Sequence, residues 1–191
     1  MRILVINVNR SGSTNLSKGI SDYFDIPYFP TPFRDEILHR PKDLEWYTNN
    51  NNLLHQRIIE VDYSFLRTLC SMYSNVIITS RLNLKDAAES YSYMLHRFND
   101  RKDKFGSHTT RYKYEDKGNF DAVYEKVLHT HTIAEKLSEE FNIPITYYEN
   151  LYYNEPKLTI ENLNLGIDYE MFKHRLDTSK RLRVVTEPSI I

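Results

Sequence analysis

Short apolar runs alternate with helical patterns along the chain, and this alternation predicts the fold. Apolar and β-branched residues dominate positions 2–8, which predicts a buried strand of the kind found in a parallel sheet. Apolar residues then recur at helical spacing over positions 16–24, so a helix is expected directly after this strand. Two more apolar runs, at positions 75–80 and 143–148, predict two further buried strands.

Three later segments carry amphipathic helical patterns, at positions 61–73, 84–95 and 121–141. The stretch "TNNNN" (Thr48 to Asn52) is predicted to be a loop. Strands that alternate with helices predict an α/β fold, namely a three-layer, P-loop-like arrangement with a central, mainly parallel sheet flanked by helices. Sheets of this kind bind ligands at the carboxyl ends of their strands.

Composition narrows the class of protein. The 191 residues fit a single domain spanning 1–191, and a formal net charge of -1 offers no basic field for nucleic acid. No apolar stretch approaches the roughly 20 residues that cross a bilayer, and the first residues lack the pattern of a signal peptide. A lone cysteine, Cys70, cannot form an internal disulfide, so a reducing cytoplasm is expected.

Candidate chemistry begins in "NVNRSGSTNL", between the first strand and the first helix. Backbone N–H groups and hydroxyls at residues 11–14 would surround an anion at the positive end of the helix, and Arg10 adds a full charge. Gly12 lets the chain turn tightly and approach a ligand. The Gly-Lys-Ser/Thr pattern of a Walker loop is absent, which disfavours a nucleoside triphosphate with magnesium. A Ser/Thr-capped helix start is the alternative interpretation.

The stretch "TSRLNLKDAAESYSYML" repeats this architecture after the strand at 75–80. Arg81 ends the strand, and Ser90 lies about two turns into the following helix, so both can point toward one phosphate. The alternative is that both are solvated surface residues. Two neighbouring strand ends with this chemistry suggest a ligand that carries two separated anionic groups.

The pair "RSGSTNL" and "SRLNLKDAAESY" resembles the two signature regions of sulfotransferases that use 3′-phosphoadenosine 5′-phosphosulfate (PAPS). The segment "ITYYENLYYNEPKLTIENLNLGI" is similar to a third region of that family. The form "RSGS" is closer to carbohydrate-type and bacterial glycolipid sulfotransferases than to the cytosolic enzymes. The resemblance implies that Arg81 and Ser90 bind the 3′-phosphate, that Tyr148 lies near the adenine and that Glu149 serves the loop structure. It also implies that the first loop binds the 5′-phosphosulfate through Arg10, Ser11, Gly12, Ser13, Thr14 and Asn15.

The sequence departs from the family in three places. The spacing from Arg81 to Ser90 is one residue longer than in the cytosolic enzymes, and the Pro common in that turn is absent. The basic, Gly-containing loop that closes on the cofactor is not recognisable. The segment with Lys180, Arg181 and Arg183 is a possible substitute, and a solvated basic tail is the alternative.

The reaction implied by the resemblance is transfer of a sulfuryl group from PAPS to a hydroxyl or amine, which leaves PAP. The acceptor would be a carbohydrate or small metabolite, Arg10 would stabilise charge on the leaving phosphate, and no metal is required. The catalytic base is expected to be Glu36, with His39 and Asp35 as alternatives and His108 as a further one. His129 and His131, two residues apart on a helix, are expected to be structural. A small P-loop-type kinase and a non-catalytic anion-binding module are the competing functions.

Overall fold

The computed structural model describes residues 1–30, 47, 49–92, 94 and 120–176. Five strands form one sheet in the order β2-β3-β1-β4-β5, and each neighbouring pair is parallel. The strands are β1 (Arg2–Asn7), β2 (Tyr28–Pro30), β3 (Asn52–Arg57), β4 (Asn75–Ser80) and β5 (Ile145–Tyr147).

Helices connect the strands, and two irregular turns accompany them. The helices are α1 (Ser13–Phe24), α2 (Tyr63–Met72), α3 (described over residues 84–92), α4 (Phe120–Phe141), α5 (Pro156–Glu161) and α6 (Tyr169–Leu176). A 3₁₀ turn spans Ile58–Glu60, and a π-helical turn spans Asn150–Asn154. No helix among these residues is both long and apolar enough to cross a membrane.

Helices cover both faces of the sheet. Ile3 and Val5 of β1 are fully buried in a core that α1, the π-helical turn, α5 and α6 complete. The alternate residues Leu4 and Ile6 are fully buried in a second core formed with α2, α3 and α4. Because side chains of a strand alternate between faces, one strand can supply both cores. The predicted three-layer α/β fold is therefore confirmed, and the sheet is parallel throughout the described part of the chain.

Two strands, β2 and β3, escaped prediction. β2 has only three residues, and polar residues interrupt the apolar pattern of β3. Asn52, predicted to end a loop, instead begins β3 and is fully buried. Its amide donates to the carbonyl oxygens of Tyr47 and Asn50, and its Oδ1 accepts from the hydroxyl of Tyr73 at 3.2 Å. These hydrogen bonds compensate for burying the amide. The loop interpretation of Thr48 to Asn52 is therefore wrong at Asn52, and also at Asn49, which is helical.

The predicted strand at 143–148 is shorter in the structure. Asn142 adopts the left-handed conformation, with φ of 53°, directly after α4, and Pro144 has no N–H for a sheet ladder. The strand therefore starts at Ile145, and Tyr148 already belongs to the helical turn that follows β5. The other predicted strands and helices are confirmed to within about three residues where they are described.

Candidate functional site

The connection from β1 to α1, residues 8–12, is called the first loop below. Arg10 and Gly12 have positive φ values of 67° and 73°, whereas Ser11 between them does not. The Ser11 N–H donates to the Val8 carbonyl at 3.3 Å, and the Val8 N–H donates to Thr79 of β4 at 3.0 Å. Two left-handed residues separated by one residue bend the chain sharply between β1 and α1.

In the part of the chain that the structure describes, no side chain caps the N-terminus of α1. Gly12 occupies the N-cap position and makes no side-chain cap hydrogen bond. Its carbonyl accepts from the N–H groups of Asn15 and Leu16, at 3.1 and 3.4 Å. The N–H groups of Ser13 and Thr14 in the first turn are thus not occupied by a cap, and they lie at the positive end of the helix dipole.

The rings of Tyr148 and Tyr152, which are distant in sequence, pack closely against Gly12. A Cβ at Gly12 would lie 2.6 Å from Cδ2 of Tyr148 and 2.6 Å from Cε2 of Tyr152. The Tyr152 hydroxyl donates to the Gly12 carbonyl at 3.0 Å, and the two ring centroids are 4.8 Å apart. Glycine is therefore required here twice, by the backbone conformation and by the crowding.

Arg10 reaches from the first loop to α3. Its Nε donates to Oγ of Ser90 at 2.8 Å, and its Nη1 lies 4.0 Å from Sδ of Met94. Among the described residues, no carboxylate pairs with it. The residue is exposed, yet surrounding atoms desolvate the guanidinium and lower its pKa, and the positive charge of Arg81 lowers it further. Arginine keeps its proton at such a site, so the first loop presents an unneutralised cation.

The connection from β4 to α3, residues 81–83, is called the second loop. The Arg81 guanidinium lies over the Tyr148 ring, 4.3 Å from its centroid, and its Nε is 3.4 Å from Oε1 of Glu149. Glu149 also accepts from the Leu82 N–H at 2.8 Å. Asn83 Oδ1 accepts from the Asp86 N–H at 3.2 Å. The second loop and the start of α3 are therefore already held by a carboxylate and a capping amide.

The structure thus joins the predicted residues in a pairing that the sequence did not suggest. Ser90 hydrogen-bonds to Arg10, whereas Arg81 contacts Tyr148 and Glu149. Tyr148 touches both loops, because its ring meets Gly12 on one side and Arg81 on another. Glu149 supports the second loop, as the sequence suggested.

A third arginine at the same edge of the sheet was missed together with its strand. Arg57 ends β3 and is opposite Asn7 of β1 in the sheet register. Its Nη1 lies 3.2 Å from Oε1 of Glu60, and its charge adds to the effects that lower the pKa of Arg10. Arginines therefore stand at the carboxyl ends of three adjacent strands, β3, β1 and β4.

Beneath the first loop lies a layer of polar side chains, in which Ser11 and Ser13 were predicted site residues, whereas His55, Tyr28 and Thr79 were not. His55 of β3 is 2% exposed, its Nε2 lies 2.9 Å from Oγ of Ser13 and its Nδ1 lies 2.9 Å from the Tyr28 hydroxyl. Burial, followed by the charge of Arg57, lowers the pKa of His55 to about 3. The hydroxyls of Ser11 and Thr79 are 2.8 Å apart. A histidine within an apolar strand gave no motif by which to find it.

The remaining predicted residues divide into two groups. Thr14 is exposed and Asn15 half-buried in the first turn of α1. His131 contacts Oγ of Ser80 through Nδ1 at 2.7 Å, whereas His129 is exposed. No three His, Cys, Asp or Glu side chains of the described residues come together as a metal site. The others lie outside the described residues: Asp35, Glu36, His39, His108, Lys180, Arg181 and Arg183.

Neither the models of protein families nor the curated proteins provide a match to this chain. The fold and the site together define a three-layer α/β protein with arginines at one edge of its sheet.

Proposed function

We propose that the protein is a sulfotransferase that transfers the sulfuryl group of PAPS to a hydroxyl or amine of a carbohydrate or small metabolite. The observation that carries the proposal is the pair of cationic loops at adjacent strand ends. Among the described residues, no side chain caps the helix that follows the first loop, and no carboxylate pairs with its arginine. A ligand with two separated anionic groups suits such a pair, and PAPS is one.

The first loop suits the 5′-phosphosulfate. The N–H groups of Ser13 and Thr14 at the start of α1 and the guanidinium of Arg10 provide donors and positive charge. The buried hydroxyls of Ser11 and Ser13 add neutral donors. The absence of a Lys at the Walker position fits a ligand bound without magnesium.

Arg81 and Ser90 are assigned to the 3′-phosphate. Ser90 Oγ accepts from Arg10 and keeps its own O–H for a phosphate oxygen, so it can connect the two anion sites. The Arg81 guanidinium is oriented by Tyr148 and Glu149, and such stacking suits it to phosphate binding. Tyr148 then contacts the nucleotide side of the site through its position beside Arg81.

When bound, PAPS supplies the sulfuryl group; the bond from its sulfur to the phosphate oxygen breaks as a bond to the acceptor oxygen or nitrogen forms. Arg10 and the N–H groups of the first loop stabilise the negative charge that develops on the leaving phosphate. Removing one such donor costs about 3 kcal/mol of transition-state stabilisation in comparable oxyanion sites. The acceptor proton passes to a base, for which Glu36 is our first candidate and His39, Asp35 and His108 are the alternatives.

The proposal includes the compartment. Cys70 is a buried, free thiol, and burial raises its pKa to about 12, so it is an inert residue of the core. A free, inert cysteine is what we expect of an enzyme in the reducing cytoplasm, which is the compartment that we propose.

Ligand-dependent thermal unfolding tests the proposal, because a nucleotide that binds the folded state raises the melting temperature by mass action. The panel is PAP, PAPS, AMP and ATP with magnesium. PAP should bind at least tenfold more tightly than AMP, as expected for a charge-assisted contact to its extra phosphate. Arg81→Ala should remove most of that difference.

Arg10→Gly is the partner variant, because Gly tolerates the φ of 67° that Arg10 adopts and so removes the side chain without adding strain. It should weaken PAP and AMP alike, by roughly 10- to 100-fold. Equal affinity of the wild-type protein for PAP and AMP would contradict the assignment. Preference for ATP with magnesium would indicate a kinase, and PAP binding without sulfuryl transfer would indicate a binding module.

A further inference from the structure

Three side chains form a continuous hydrogen-bonded chain under the first loop. The Tyr28 hydroxyl lies 2.9 Å from Nδ1 of His55, and Nε2 of His55 lies 2.9 Å from Oγ of Ser13. The chain runs from β2 through β3 to the first residue of α1. The rings of Tyr28 and His55 are nearly parallel, with centroids 6.1 Å apart, so the phenol is held in place.

The imidazole in the middle of this chain is neutral and carries a single N–H. Burial lowers the pKa of His55 to about 3 and raises the pKa of Tyr28 to about 12, so both groups are uncharged near neutral pH. Two arrangements are then possible. In one, Nδ1–H donates to Tyr28 and the Ser13 O–H donates to Nε2. In the other, Tyr28 donates to Nδ1, and Nε2–H donates to Ser13.

The two arrangements differ in which proton lacks a partner. Among the described residues, His55 is the only hydrogen-bond partner of the Tyr28 hydroxyl and of the Ser13 hydroxyl. The first arrangement therefore leaves the phenol proton without an acceptor there. The second arrangement uses the phenol proton inside the chain and leaves the Ser13 proton for a group outside it.

The position of Ser13 indicates that the group accepting its proton would be an anion. Ser13 is 4% exposed and directly follows Gly12, at the start of α1, where no described side chain forms a cap. In the first arrangement its oxygen offers only lone pairs to the loop, and these repel an anion. In the second arrangement its hydroxyl offers a proton, and an anion oxygen satisfies it.

We propose that His55 is a positioning residue that carries its proton on Nε2, donates to Ser13 and thereby commits the Ser13 hydroxyl to donate to an anion in the first loop. This inference rests on the proposed function only in placing an anion at that loop. Binding of the anion selects the Nε2–H tautomer, because a ligand shifts an equilibrium toward the state that it binds better.

Nitrogen NMR of ¹⁵N-histidine-labelled protein reads the tautomer directly, and the His55 signals are assigned by their loss in His55→Gln. Inorganic pyrophosphate and PAP are added in separate titrations. With either anion bound, Nε2 of His55 should be the protonated nitrogen and Nδ1 the unprotonated one. An Nδ1–H tautomer in the anion-bound protein would overturn the inference.

A pair of substitutions separates hydrogen bonding from packing. Gln places an amide N–H close to the position of Nε2, whereas Leu fills a similar volume without a donor. His55→Gln should keep anion affinity within a few-fold of wild type, and His55→Leu should weaken it by roughly tenfold, as Ser13→Ala should. Thermal unfolding of each variant shows that it is folded. Equal affinity of folded His55→Leu and wild type would also overturn the inference.

The outcomes separate this inference from the sulfotransferase proposal. If pyrophosphate selects the Nε2–H tautomer and PAP does not bind, the positioning role holds and the PAPS assignment fails. If PAP binds and His55 carries its proton on Nδ1, the PAPS assignment holds and the positioning role fails. If neither anion binds, both are wrong.

Discussion

The first and second loops start from the same architecture and end with different electrostatics. Each follows a central strand at its carboxyl end, contains an arginine and leads into a helix. At the second loop the carboxylate of Glu149 meets Arg81 and accepts from the Leu82 N–H. At the first loop Arg10 meets only Ser90 and Met94 among the described residues, and α1 begins without a side-chain cap.

The difference shows that the first loop, unlike the second, has no negatively charged group among the described residues. A helix N-terminus and a neighbouring arginine both favour an anion. The protein supplies one at the second loop through Glu149. It supplies none at the first loop from the residues that the structure describes, so an exogenous anion has more to gain there.

Gly12→Ala is expected to have the largest effect, because it distorts the first loop, which has no carboxylate among the described residues. A Cβ would collide with Tyr148 and Tyr152 at 2.6 Å, and alanine disfavours a φ of 73°. A left-handed non-Gly residue costs about 1–3 kcal/mol, and the collision adds to that. We expect a loss of at least about 3 kcal/mol in the free energy of unfolding, measured by urea denaturation, and no measurable PAP binding.

Gly166→Ala is the matched control. Gly166 has a nearly identical φ of 70°, but nothing lies within 4 Å of the Cβ it would gain. It should therefore show the conformational cost alone, about 1 kcal/mol, and bind PAP normally. Equal destabilisation by the two substitutions would mean that the tyrosine rings do not constrain the first loop.

Glu149→Gln tests the loop that already holds its own carboxylate. The amide can still accept from Leu82, but it leaves Arg81 without a counter-charge and removes a negative charge from the start of α3. We expect a loss of about 1–2 kcal/mol in the free energy of unfolding. If Arg81 receives a phosphate, PAP should restore part of this loss and so raise the melting temperature more in the variant than in the wild type.

Glu140→Gln controls for the loss of any paired carboxylate. Glu140 accepts from Tyr63 at 2.8 Å and contacts Arg67 at 2.5 Å, on α4 and remote in sequence from both loops. It should lower stability less than Glu149→Gln does, because the pair is on the surface. PAP should shift its melting temperature as in the wild type. The same PAP shift in Glu149→Gln and Glu140→Gln would remove Arg81 from the phosphate site.

The elements that could be predicted from sequence are those with uninterrupted periodicity. β1 and β4 have continuous apolar runs, and α4 shows its apolar face over six turns, so each was located closely. The Arg-containing loops followed from where these strands end. Local pattern is sufficient when one face of an element is uniformly apolar.

The missed parts are those whose polarity only tertiary contacts explain. His55 and Asn52 make β3 look unsuitable for a core, and each is buried because a partner distant in sequence bonds to it. The pairing of Ser90 with Arg10 joins residues 80 positions apart, and no spacing rule within either motif contains it. Arg57 could be recognised only once β3 was placed beside β1.

A further predicted effect concerns pH and the histidine beneath the first loop. In the folded protein the pKa of His55 is lowered to about 3 from a reference value of 6.5. Between these two values the unfolded chain binds a proton at this histidine and the folded protein does not. The neutral ring therefore contributes its full stabilisation above pH 6.5, and this contribution falls as pH decreases toward 3. Between pH 7 and pH 5, the wild type should lose about 2 kcal/mol more than His55→Gln.

Urea unfolding at pH 7 and pH 5 measures this difference, with His129→Gln as the matched control. His129 is exposed on α4, so its removal should leave the wild-type pH dependence intact. Over this window the expected loss requires only that the folded pKa of His55 lies well below 5. If His55→Gln and wild type lose stability in parallel, the imidazole takes up a proton in the folded protein as readily as in the unfolded chain and is charged at pH 5. A charged ring donates from both nitrogens, and the two-tautomer argument for Ser13 would then fail while the difference between the two loops would stand.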